Sequence, residues 1–73
     1  MDLRRRIDGV DVIASENEVW FVQDDRICWT TREELWSGSS RLSQVLREKG
    51  YRIHSRSFPK KLRELVLAIS KSG

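Results

Sequence analysis

The spacing of apolar side chains changes period once, near residue 30, and this change constrains the fold more than any other feature. Before it, short β-branched and aromatic runs alternate with polar turns. The runs are Val10–Ala14, Val19-Trp20-Phe21-Val22 and Ile27-Cys28-Trp29, separated by Ser15-Glu16-Asn17-Glu18 and Asp24-Asp25. Such runs read as strands, and tight turns between consecutive strands imply an antiparallel meander. After residue 30 the apolar residues recur at spacings of three and four, the period of helices. Thr30-Thr31-Arg32-Glu33 stands at the switch and has the T-x-x-E form of a capping box. Strands followed by helices define an α+β chain, here a three-stranded meander and then a helical half.

Within the helical half the spacing predicts a short helix over 32–36, carrying Leu35 and Trp36 inward. Ser37-Gly38-Ser39-Ser40 predicts a break, and Ser39 or Ser40 then caps a second helix reaching about Lys49. Leu42, Val45 and Leu46 form its apolar stripe, and Gly50 stands where a left-handed residue closes a helix. Residues 51–56 alternate, with Tyr51, Ile53 and Ser55 on one face and Arg52, His54 and Arg56 on the other, which predicts a short strand. Ser57-Phe58-Pro59 opens a last helix with Leu62, Leu65, Val66 and Ile69 as its stripe. The predicted order is β-β-β-α-α-β-α. Residues 1–9, with Arg4-Arg5-Arg6, are expected as a flexible basic arm, and 10–73 as one small α+β domain.

Several chemistries find no residues to carry them. A single cysteine, Cys28, forms no internal disulfide, and a single histidine, His54, builds no Cys/His zinc site. No phosphate-binding glycine loop and no nucleophile elbow occurs. No activated nucleophile or acid–base pair stands out. A non-enzymatic chain is expected, with no cofactor, no metal and no small-molecule substrate. No apolar stretch reaches the roughly 20 residues that span a bilayer. A reducing compartment is expected: the cytoplasm, nucleoid-associated or nuclear. In so short a chain the core needs its large side chains, so two of Trp20, Trp29 and Trp36 are expected inside with Tyr51 and Phe58. Cys28 is expected as a buried thiol.

The net charge of +3 conceals a division. Residues 1–34 hold five basic and nine acidic side chains, a net −4, whereas 35–73 hold nine basic and two acidic, a net +7. A basic half of this density is the electrostatic footprint of a partner rich in phosphate.

Thr30 to Arg56 combines a short helix, a small-residue turn, a second helix, a glycine and a basic strand. This resembles the helix-turn-helix unit and wing of winged-helix DNA-binding domains. The resemblance covers 27 of the 73 residues. It departs from the usual order, in which a helix comes first and the hairpin last. It implies a second helix in the major groove of duplex DNA, presenting Ser40, Arg41, Gln44 and Arg47. It also implies phosphate or minor-groove contacts from Arg52, His54 and Arg56, to which Lys60 and Lys61 add. DNA, or another polyanion, is the expected partner. The rival expectation is a protein-interaction or dimerisation module, such as an adaptor, an inhibitor or an excised part of a larger replication or regulatory protein. It would use the two-sided apolar strand at 19–22 and Trp36, with a protein partner or a second copy.

Overall fold

The computed structural model describes residues 3–72, with side-chain surroundings given through residue 68. Four strands come first: β1 (Leu3–Ile7), β2 (Val10–Ala14), β3 (Glu18–Gln23) and β4 (Arg26–Thr31). Two helices follow, α1 (Arg32–Glu48) and α2 (Phe58–Ser72). The strands form one antiparallel sheet in the order β1-β2-β3-β4. The α+β class and the meander therefore hold, with one strand more than expected.

The extra strand is β1, where a flexible arm was expected. Leu3 pairs with Ala14 and Ile7 with Val10. The turn between them is Asp8-Gly9, both with positive φ (51° and 80°), the backbone of a type I′ hairpin. The arginines between Leu3 and Ile7 disguise the strand, but its pairing to β2 does not depend on their side chains. Met1 and Asp2, the start of the expected arm, lie outside the described residues.

The small-residue stretch at 37–40 interrupts the helix as expected, although no loop intervenes: α1 is two helical pieces joined across a kink at Gly38 (φ −144°, ψ 43°). The helix starts one residue later than the first Thr suggests. Thr31 is the cap and accepts from the Glu34 N–H at 3.2 Å. Glu34, three residues on, turns its carboxylate back to the Thr30 hydroxyl at 2.7 Å. At the other end Gly50, at φ 97°, closes α1, and the Tyr51 N–H returns to the Leu46 carbonyl at 3.0 Å.

Residues 51–56 alternate as expected, with Tyr51 and Ile53 buried and Arg52, His54 and Arg56 exposed, yet they join no sheet. Side chains meet the segment's backbone instead. Gln23 is buried. Its amide oxygen accepts from the Arg52 N–H at 2.7 Å, and its amide nitrogen donates to the Arg52 carbonyl at 3.1 Å and to that of Gly9 at 3.3 Å. Asp8 accepts from the N–H groups of His54 and Ser55 at 2.7 and 2.8 Å. A period of two needs only an extended backbone, and here two side chains do the work of a neighbouring strand.

One face of the sheet packs on the helices. Val10, Val12, Ala14, Val19 and Phe21 from the sheet meet Leu35, Leu46, Phe58, Leu62, Leu65 and Val66 in the core. Tyr51 and Phe58 are buried as expected, and the Tyr51 hydroxyl donates to the Phe21 carbonyl at 2.8 Å. Burial and a hydrogen bond with the Cys28 thiol hold that phenol protonated well above its ordinary range. Ile69 of the expected α2 stripe has no described side-chain surroundings.

None of the tryptophans is in the core. Trp29 and Trp36 are 54% and 48% exposed, and Trp20 is half-buried, tilted against Trp29 with ring centroids 6.0 Å apart. Cys28 is half-buried rather than buried. The reason is the architecture. Both helices cover the same side of the sheet, so the other face, bearing Trp20, Val22, Ile27 and Trp29, has no covering layer among the described residues.

Candidate nucleic-acid interface

Between residues 40 and 63 the chain carries eight basic side chains and one acidic one, Glu48. The eight are Arg41, Arg47, Lys49, Arg52, Arg56, Lys60, Lys61 and Arg63, and all are exposed. Local structure brings most of them to one end of the helical layer. The turn at Gly50 reverses the chain, Arg47 Nε donates to the Ile53 carbonyl at 3.1 Å, and the Phe58 N–H reaches the Ser55 carbonyl at 3.3 Å. The second half of α1, residues 51–57 and the first turn of α2 are thus tied together.

Ser40, Gln44 and Arg47 are exposed and share one face of α1, at offsets of four and three. Arg41 is exposed but sits one position round the helix. With Val45 and Lys49 it lines a groove beside β4, so it does not join the other three. His54 and Arg56 are exposed on the extended segment, and Lys60 and Lys61 on the first turns of α2. The expected wing strand is therefore a strap without sheet partners, presenting the same three basic groups.

Acidic residues of the sheet hold this strap. Arg52 pairs with Asp24 at 2.7 Å, both side chains largely in solvent. The N–H groups of Ser55 and then His54 hold the Asp8 carboxyl below its ordinary range, against the opposing effect of partial burial. Arg63 lies over the Trp36 ring, 5.8 Å from its centre. Six of the eight, all except Arg52 and Arg63, are in no ion pair or ring contact among the described residues.

The residues that sequence reasoning undervalued are Ile27 and Trp29, which line the uncovered sheet face and the β4 groove. Their signal was present in the strands that are apolar on both faces. Such a strand reads as doubly buried, but here only one side is covered. Among the described residues no helix is long and apolar enough to cross a membrane. Comparison with family models, with curated proteins and with solved structures gave no match to this chain.

Proposed function

We propose that this chain is a small nucleic-acid-binding domain that docks the turn end of its helical layer on the phosphate backbone, with duplex DNA as the preferred partner. The observation that carries this reading is the run of eight exposed basic residues against one acidic residue between 40 and 63. Gathered mostly at one end of the helical layer, such charges would neutralise phosphates and release counterions. In the helix-turn-helix reading, α1 beyond its Gly38 kink takes the place of a recognition helix. It would present Ser40, Gln44 and Arg47 to base edges, and the strap with Arg52, His54 and Arg56 takes the place of the wing.

Titration of a random duplex at several salt concentrations tests it. If the six unpaired cations each meet a phosphate, log affinity falls against log salt with a slope of about −5. Replacing Arg56, Lys60 and Lys61 together by Ala should bring that slope to about −3. A slope near zero, or affinity unchanged by the triple substitution in a folded variant, overturns the reading.

A further inference from the structure

The two edges of the sheet are guarded differently. The edge of β1 carries Arg4 and Arg6, a common device against strand addition. The edge of β4 has only one basic residue, Arg26, at its turn end. Its sequence, Arg26-Ile27-Cys28-Trp29-Thr30-Thr31, has no proline, and Ile27 and Trp29 are 65% and 54% exposed.

The hydrogen-bond register shows which backbone groups are free. Gln23 and Arg26 close a two-residue hairpin at Asp24-Asp25, so they form a hydrogen-bonded pair. The Arg32 N–H, bonded to the Asn17 carbonyl at 3.2 Å, continues the same alternation. Residues 26, 28 and 30 therefore bond to β3, while the N–H and C=O groups of Ile27 and Trp29 point away from the sheet. A groove of about 910 Å³ runs beside them, with Phe21, Leu42 and Leu46 among its apolar lining and Glu34, Arg41 and Lys49 among its charged lining.

We propose that β4 and this groove are the interface of a symmetric dimer, in which β4 pairs antiparallel with β4 of a second copy. Opposed residues in an antiparallel pair share a face, so a two-fold axis through Cys28 sets Ile27 opposite Trp29 of the other copy. That pair uses the outward N–H and C=O groups of both residues, and it repeats on the far side of the axis. It also covers the two most exposed apolar side chains of the sheet.

Charge selects the second copy as the occupant. Glu34 lies beside Thr30, its carboxylate 2.7 Å from that hydroxyl. At the other end of the groove, a Cβ added at Gly50 would fall 2.8 Å from Arg26 Nε, so Lys49 lies near Arg26. Helix α1 thus runs antiparallel to β4, with an anion at one end of the groove and a cation at the other. The same two-fold axis carries each Glu34 to Lys49 of the second copy, twice per dimer. Arg41, nearest the axis, meets its own copy, and its length lets the guanidinium turn out to water.

Sedimentation velocity over a concentration series tests the dimer. The chain should dimerise reversibly. Ile27→Pro should leave it monomeric at concentrations where the parent is dimeric, because the lost N–H points away from β3 and the sheet's own ladder is kept. Glu34→Lys and Lys49→Glu should each weaken association about tenfold, and the double variant should regain it. Lys49→Glu changes an exposed side chain and keeps the test open if Ile27→Pro does not fold. A chain that stays monomeric throughout overturns the proposal, as does a dimer indifferent to these substitutions or reversals that do not rescue each other. A monomer whose β4 amides shift on addition of a hexapeptide of alternating Glu and Val would assign the groove to a foreign strand, and would equally overturn it. Arg41 and Lys49 line this groove but Arg56, Lys60 and Lys61 do not, so replacing those three tests DNA binding separately from the dimer.

Discussion

Replacing Gln23 by Leu should cost more stability than its modest change in size suggests. The side chain is buried and its amide makes three hydrogen bonds, one with the Gly9 carbonyl and two with the Arg52 backbone. Leu fills a similar volume but leaves those backbone groups without partners. At a net value of about 1 kcal/mol per bond the loss is about 3 kcal/mol, reduced to about 2 because Leu carries no polar group to desolvate. With a urea dependence of about 1 kcal/mol per molar, the midpoint should fall by about 2 M. Urea unfolding followed by tryptophan fluorescence measures this. Amide exchange locates it, since the Arg52 N–H should lose protection before the β3–β4 ladder does. Gln23→Glu sharpens the test. A carboxylate still accepts from the Arg52 N–H but sets negative oxygen against two carbonyls. Its folded pKa is therefore raised, so the variant's stability is retained at low pH and lost as pH rises. A Gln23→Leu variant within about 0.5 kcal/mol of the parent would refute the reasoning. So would Arg52 exchange unchanged relative to the ladder.

Other positions give shorter tests. The Asp8 carboxyl is held below its ordinary range, chiefly by the Ser55 N–H, so its contribution is complete above the unfolded-state value and lost as pH falls through the folded one. The parent should therefore lose stability below about pH 4, while Asp8→Asn, which keeps the Asx-Gly turn, should show a shallower decline in urea midpoints between about pH 3 and 6. Gly50→Ala should destabilise by at least about 1 kcal/mol, because φ is 97° and the new Cβ would fall 2.8 Å from Arg26 Nε. Equal thermal midpoints would contradict this. Thr31→Ala removes the cap that accepts from the Glu34 N–H and should cost about 1 kcal/mol. Thr31→Ser, which keeps a hydroxyl at the cap, is the control by chemical denaturation.

The sequence patterns that matched the structure are those set by nearest neighbours. The runs at 10–14 and 19–22 are strands because alternate residues enter the core, and 27–29 is a strand with only Cys28 packed partly against it. Leu62, Leu65 and Val66 are buried because a helix aligns them. Strand β1 escaped because its three central residues are all arginine. Its clearest mark was Asp8-Gly9, a dipeptide that favours type I′ hairpins. The strap at 51–56 showed the right period and the wrong partner. Its bonds come from Gln23 and Asp8, 29 and 46 residues away at their Arg52 and His54 contacts, and no local pattern carries that information. The tryptophans were misjudged because size argues for burial while layer count decides it. For the interface, the basic residues and their exposure were legible from composition. The separation of Arg41 from Ser40, Gln44 and Arg47 was not, because it depends on which side of α1 faces β4.

The strap's attachments also impose an order on folding. Asp8 sits in the β1–β2 turn, and Gln23 and Asp24 sit at the β3–β4 turn, so the three side chains converge only after both hairpins have closed. The linker between the helices is therefore expected to find its seat late, on a sheet already assembled, with the contacts at Asp8 and Gln23 acting as a latch rather than a nucleus. Weakening them should quicken unfolding far more than it slows folding.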